Sequence, residues 1–156
     1  MQFRPEPELP PAPPPAERPI WRWLLYGSAA GAALATRWPW QQVKFERLFG
    51  EARGLPAWQS TAGGTCLATS LLLVVLAVAE TDHTTSRRAV RPSSLLLATL
   101  ALGSFLLAVV QGPGSVRGTT AVWTGWFWLE ALCLPLLWLA CFARWRTVAR
   151  RVRSGP

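Results

Sequence analysis

The stretch WTGWFWLEALCLPLLW, Trp123 to Trp138, decides the fold of this 156-residue chain. It lies within the longest apolar run, 121–143, which as a helix is long enough to cross a bilayer core of about 30 Å. Runs at 62–79 and 93–111 also reach this length, and a shorter run at 20–36 is marginal. The sequence therefore predicts an all-α integral membrane protein, a bundle of four transmembrane helices.

The segments around these runs differ from them in composition. Residues 1–19 include PEPELPPAPPP, a proline density that excludes a helix and predicts a disordered cytoplasmic tail, either a spacer or a docking peptide. Residues 145–156 are predicted to be a basic cytoplasmic tail, which leaves 20–144 as the transmembrane domain. At about 40–50, aromatic and charged residues fall on opposite faces of a helix, and this predicts a short interfacial helix on the outer membrane surface.

The arginines and the single lysine predict the orientation, because basic residues stay on the cytoplasmic side. With four spans, eleven of them lie inside and five outside; without the first span the count is eight against eight. Both termini are therefore predicted to be cytoplasmic, and the Arg-, Ala- and Pro-rich composition is typical of a bacterial inner-membrane protein from a high-GC genome. As an alternative, the first run is a signal peptide cleaved after Ala35.

Small residues recur every four positions in the first span, at Gly27, Gly31 and Ala35. In lipid, helices associate through close packing, and small side chains let two backbones approach each other. This ridge is predicted to be a helix-packing surface.

Glu130 is the candidate for an intramembrane polar site, because an ionisable group within a span is costly and usually has a role. A rise of 1.5 Å per residue from Ala121 places it roughly 13 Å from the outer face. The same arithmetic places Ser28, Ser70 and Ser104 near that depth, with Tyr26 slightly deeper. Three interpretations stay open: a neutral hydrogen-bonded carboxyl that sets helix register, a proton, cation or ligand site, and a contact with a partner subunit.

Arginines near the ends of the spans are predicted to contact anionic lipid headgroups on the cytoplasmic side. The alternative is that they only determine topology. The candidates are Arg87, Arg88, Arg91, Arg144, Arg146, Arg150, Arg151 and Arg153.

Other function classes find little support. The net charge of +8 comes from residues at the ends of apolar runs and not from a basic stripe, so no nucleic-acid partner is predicted. Three cysteines and one histidine lack metal-site spacing, and no catalytic motif occurs, so no metal, cofactor or enzyme activity is predicted. We expect a non-catalytic structural or accessory subunit that associates with lipid and with a membrane complex or further copies of itself. The alternative is a small transporter or ligand-binding membrane protein centred on Glu130.

Overall fold

The computed structural model describes residues 19–45, 51–80, 87–113 and 119–153, and the predicted N-terminal tail up to residue 18 lies outside these ranges. Within them the chain forms four helices. Each helix packs against the next, and the last packs against the first, so the bundle is closed. The helices are α1 (Pro19–Ala35), α2 (Thr61–Ala79), α3 (Arg87–Gln111) and α4 (Gly125–Arg153).

Three of the described helices are long and apolar enough to cross a membrane. They are α2 with 19 residues, the 22-residue segment Val90–Gln111 of α3 and the 23-residue segment Gly125–Thr147 of α4. The helix α1 is shorter, at 17 residues. The predicted membrane character is therefore supported by three helices. The helix α4 continues to Arg153, so most of the segment predicted as a basic tail extends the last helix.

A small antiparallel sheet occupies one end of the bundle, where the sequence predicted an interfacial helix. Its strands are β1 (Gln41–Phe45), β2 (Glu51–Arg53) and β3 (Thr119–Trp123), in the order β2-β1-β3. The helix predicted at about 40–50 is therefore wrong for residues 41–45, which form the central strand, and residues 46–50 lie outside the described residues. The predicted fourth span also began too early, because residues 121–123 belong to β3.

The strand pairing explains these two errors. Val43 of β1 pairs with Ala52 of β2 on one side and with Ala121 of β3 on the other. The second partner is distant in sequence, and the segment TTAVW that supplies it is rich in the β-branched and aromatic residues that strands favour. A helical wheel of residues 40–50 considers only local neighbours, so it missed this pairing.

Aromatic side chains attach the sheet to the helices. Trp40 is buried and contacts Phe105 and Phe127 edge-on, with ring centroids 5.6 and 6.1 Å away. Trp38 stacks on Trp126 with the ring centroids 4.2 Å apart. The backbone N–H of Thr124 also donates to the carbonyl of Trp40 at 2.8 Å, so β1 is held at the start of α4.

The predicted ridge of small residues on α1 divides between two faces. Ala35 is fully buried, and a Cβ added at Gly31 would lie 2.6 Å from the Sγ of Cys133, so these positions pack inside the bundle. Gly27 is exposed and has no atom within 4 Å of an added Cβ. Gly27 therefore belongs to the outer face of α1 and does not contribute to packing within the bundle.

This division predicts opposite results for two substitutions in α1. Gly31→Ala should lower the free energy of unfolding by about 1–3 kcal/mol because its methyl group collides with Cys133. Gly27→Ala should be neutral or stabilise by up to about 1 kcal/mol, since alanine is the better helix former. Titration of the detergent-solubilised protein with SDS, followed by circular dichroism, measures both.

The double variant Gly31→Ala/Cys133→Ala identifies the cause of the effect. If the thiol is the obstacle, the double variant should lose less stability than the sum of the two single variants. Strict additivity would contradict a direct contact between Gly31 and Cys133.

Candidate functional site

Glu130 lies inside the bundle with 0% of its surface exposed. It is close to the beginning of α4, about 7.5 Å along the helix from Gly125. The predicted depth of about 13 Å counted from Ala121, which the structure places in β3 and not in the helix. Its burial shows that the Glu130 side chain points into the bundle.

All four helices approach the level of Glu130. The thiol of Cys66 on α2 lies next to its carboxyl group, and Cys133 follows about one turn along α4. The Cys66 thiol donates to the carbonyl of Ala101 on α3, with the two atoms 3.5 Å apart, and Gly31 of α1 lies against Cys133. The Cys66 thiol is a weak donor beside Glu130, and neither carboxyl oxygen of Glu130 has a partner in hydrogen-bonding geometry among the described residues.

The hydroxyl groups predicted to share this depth behave differently from one another. Ser70 is fully buried one turn along α2 from Cys66, and its Oγ also has no partner among the described side chains and backbone. Ser28 is buried too, but its Oγ donates to the carbonyls of Leu24 and Leu25 in its own helix. Tyr26 and Ser104 are only half-buried. Of the predicted set, Glu130 and Ser70 are thus the fully buried members that lack partners.

A second buried polar cluster lies at the opposite end of the bundle from the sheet. Glu80 ends α2, and its two carboxylate oxygens bind different arginines: Oε1 lies 2.8 Å from Nε of Arg91, and Oε2 lies 2.6 Å from Nη2 of Arg144. Nη1 of Arg91 also donates to the carbonyl of Arg144 and, at 2.7 Å, to Oγ1 of Thr147. These four residues, called the Glu80 cluster below, connect α2, α3 and α4.

The Glu80 cluster corrects part of the lipid-headgroup prediction. Arg91 and Arg144 are only 7% and 4% exposed, and their guanidinium groups bind Glu80. Arg146 is exposed and lies over the ring of Phe142 at 5.8 Å, where it is free to face a headgroup region. The remaining predicted contacts have side chains outside the described part of the structure; these are Arg87, Arg88, Arg150, Arg151 and Arg153.

Sequence reasoning missed Glu80, although a signal was present. Glu80 is the first charged residue after the apolar run of α2, and both other long runs have an arginine at the same end. A carboxylate at such a boundary is costly to bury alone, and the nearby arginines offer bidentate partners. Matching acids with bases at the ends of spans would have predicted the pairing.

The described residues offer no metal site, and two pockets among them lie away from Glu130. Among them, no group of three or more His, Cys, Asp or Glu side chains is placed to hold a metal ion. Two pockets, of about 310 and 400 Å³, lie at the sheet end, lined by residues such as Trp40, Gln59 and Ser60 in one and Trp38, Gln42 and Trp126 in the other. Neither pocket reaches Glu130.

Comparisons with known proteins add no relative: no family model, curated protein or solved structure matches this chain. The class of the protein is therefore inferred from the length and hydropathy of its helices. The three long apolar helices fit a transmembrane protein.

Proposed function

We propose that this chain is a non-catalytic structural or accessory subunit of a membrane assembly, with four spans, in a bacterial inner membrane. The fourth span is α1, whose 17 residues cover about 25 Å as a helix and carry exposed apolar side chains such as Ile20, Trp23 and Leu34. Four spans leave both termini on the side of the Glu80 cluster, where arginines collect. The positive-inside rule makes this side the cytoplasm.

The observation that carries this proposal is the enclosure of Glu130. A transport pathway needs its ionisable groups to line a water-filled route, whereas Glu130 is surrounded by packed side chains and has no exposed surface. The outside of the bundle, in contrast, presents large apolar residues, among them Leu96, Val110 and Leu132, which are 71%, 83% and 65% exposed. Lipid or the helices of partner subunits are the natural cover for such surfaces.

Native mass spectrometry after extraction in a mild detergent tests the proposal. The 17.2 kDa chain is expected in a larger assembly of defined stoichiometry, and Glu130→Gln should leave the mass and the yield of that assembly unchanged. Ser28→Ala, inside the bundle and hydrogen-bonded only within its own helix, serves as the matched control for handling losses. A chain that is monomeric under every extraction condition would argue against a subunit role.

A second candidate function is ligand binding or transport at Glu130. The observation that favours it is the absence of a hydrogen-bond partner for both carboxyl oxygens, a state that interiors rarely tolerate. In that case Glu130→Gln abolishes uptake or binding while expression and assembly stay normal. The same variant therefore separates the two candidates.

A further inference from the structure

Two buried side chains in the bundle have polar atoms that nothing described satisfies. Apart from Nε1 of Trp40 at the sheet end, the buried side-chain atoms without a partner in the described structure are both oxygens of Glu130 and Oγ of Ser70. Proteins pair most of their buried polar groups, and the exceptions often indicate a bound water or ligand. The unpaired oxygens of Glu130 and Ser70 therefore indicate a site in the interior near Glu130 where further hydrogen bonds can form.

The residues around this site are poor partners for a charge. Leu73 on α2 and Leu134 and Leu137 on α4 are fully buried nearby along the same helices. The thiol of Cys66 beside Glu130 is a weak hydrogen-bond partner, and so is that of Cys133 about one turn along α4. The carbonyl of Ala101 on α3 already accepts from Cys66, and Gly31 on α1 adds no polar side chain.

The buried arginines are too far away to compensate a carboxylate here. Arg144 lies about 21 Å farther along α4 than Glu130, and it is bound to Glu80. An isolated carboxylate in such surroundings costs several kcal/mol, whereas a neutral carboxyl needs only one acceptor and one donor. These surroundings therefore favour the protonated, neutral form of Glu130 over the carboxylate.

We propose that Glu130 and Ser70 form an occluded hydrophilic site at the centre of the bundle that binds a proton. Glu130 is the proton-binding group. Ser70 is its hydrogen-bond partner through one trapped water, because the two side chains make no direct hydrogen bond. This property goes beyond the proposed subunit role and does not depend on it, because an accessory subunit and a transporter can each hold a proton in this way.

Infrared spectroscopy of the full chain in vesicles of ether-linked lipids, which have no ester C=O band, tests the proton at neutral pH. A neutral carboxyl has a C=O band separate from that of ionised carboxylates, and the wild-type spectrum should contain this band. Glu130→Gln should remove it, and protein that is expressed and purified in D₂O should show it at lower frequency. The proposal is overturned if the wild-type spectrum lacks the band or if the band survives Glu130→Gln. It is also overturned if the band has the same frequency in H₂O and in D₂O.

Two serine substitutions test the partner assignment. Ser70→Ala should shift the Glu130 band to higher frequency, since the C=O loses a hydrogen-bond partner, while Ser70→Thr keeps the hydroxyl and should leave the band nearly in place. Ser28→Ala is the matched control, because Ser28 is also buried but bonds only within its own helix. Equal shifts for Ser70→Ala and Ser28→Ala, or no shift for either, overturn the role of Ser70.

The readouts keep this proposal separate from the subunit role. The mass of the assembly reports the subunit role, and the carboxyl band reports the proton, so each fails independently. Circular dichroism of every variant before spectroscopy shows that it has folded. If Ser70→Ala does not fold, Ser70→Cys replaces it, because a thiol fills the space but is a weak hydrogen-bond partner and should also shift the band.

Discussion

Replacing Glu80 by glutamine is expected to lower the free energy of unfolding by about 3–5 kcal/mol, because it removes the negative charge that the buried guanidinium groups of Arg91 and Arg144 bind. Glutamine has nearly the same shape as glutamate, so the change removes charge with little change in packing. Both carboxylate oxygens are used, one by Arg91 and one by Arg144, and Glu80 is only 1% exposed. The measurement is unfolding by SDS in mixed micelles, followed by circular dichroism.

Two comparison variants isolate the charge effect. Arg146→Gln removes an exposed charge from the same end of α4 and should change the free energy of unfolding by less than about 0.5 kcal/mol. The triple variant Glu80→Leu/Arg91→Met/Arg144→Met replaces the cluster by apolar side chains and should recover most of the lost stability. A Glu80→Gln variant as stable as wild type would show that the Glu80 cluster does not hold the three helices together.

Gly63→Ala is expected to cause the largest packing defect, with a loss of about 3 kcal/mol, the upper end for one inserted methyl group. An added Cβ at Gly63 overlaps the carbonyl oxygen of Ala57 and lies 3.1 Å from the backbone nitrogen of Trp58. Both atoms are backbone, so no side-chain rotation relieves the collision. The 3-10 turn Ala57–Gln59 is also held in place, because the N–H of Trp58 donates to the carbonyl of Thr36 at 3.0 Å.

Gly103→Ala provides the control for Gly63→Ala. Gly103 lies in α3 and has no atom within 4 Å of an added Cβ, so alanine there should be neutral or stabilise by up to about 1 kcal/mol. Thermal unfolding in detergent, followed by the near-ultraviolet signal of the tryptophans, reports both variants. Equal melting temperatures for the two variants would contradict the close approach of α2 to the 3-10 turn.

The helices were largely predictable because their signal is local. The run 62–79 became α2 (Thr61–Ala79) almost unchanged, since a continuous apolar run sets both the length and the type of element. The run 121–143 was wrong at both ends. Its beginning pairs as β3 with a distant strand, and α4 continues past it through the arginine-rich segment that ends at Arg153.

The candidate site was predictable only in part. Glu130 was found because a lone acid in an apolar run is conspicuous, and the structure buries it inside the bundle. Whether a serine hydroxyl also lacks a hydrogen-bond partner depends on its surroundings in the fold. Ser28 donates to a carbonyl of its own helix, whereas Ser70 lacks a described partner. Depth along a helix could not distinguish these two serines, because it contains no information about hydrogen-bond partners.

By itself the sequence determined the apolar helices and the position of Glu130 within one of them, because length and hydropathy are properties of consecutive residues. Only the tertiary structure decided that residues 41–45 form a strand, that Gly31 and not Gly27 packs inside, and that Arg91 and Arg144 bind Glu80. The physical reason is the same in each case. Strand pairing, close packing and buried ion pairs depend on groups far apart in the chain, and their free energies arise only when the fold brings those groups together.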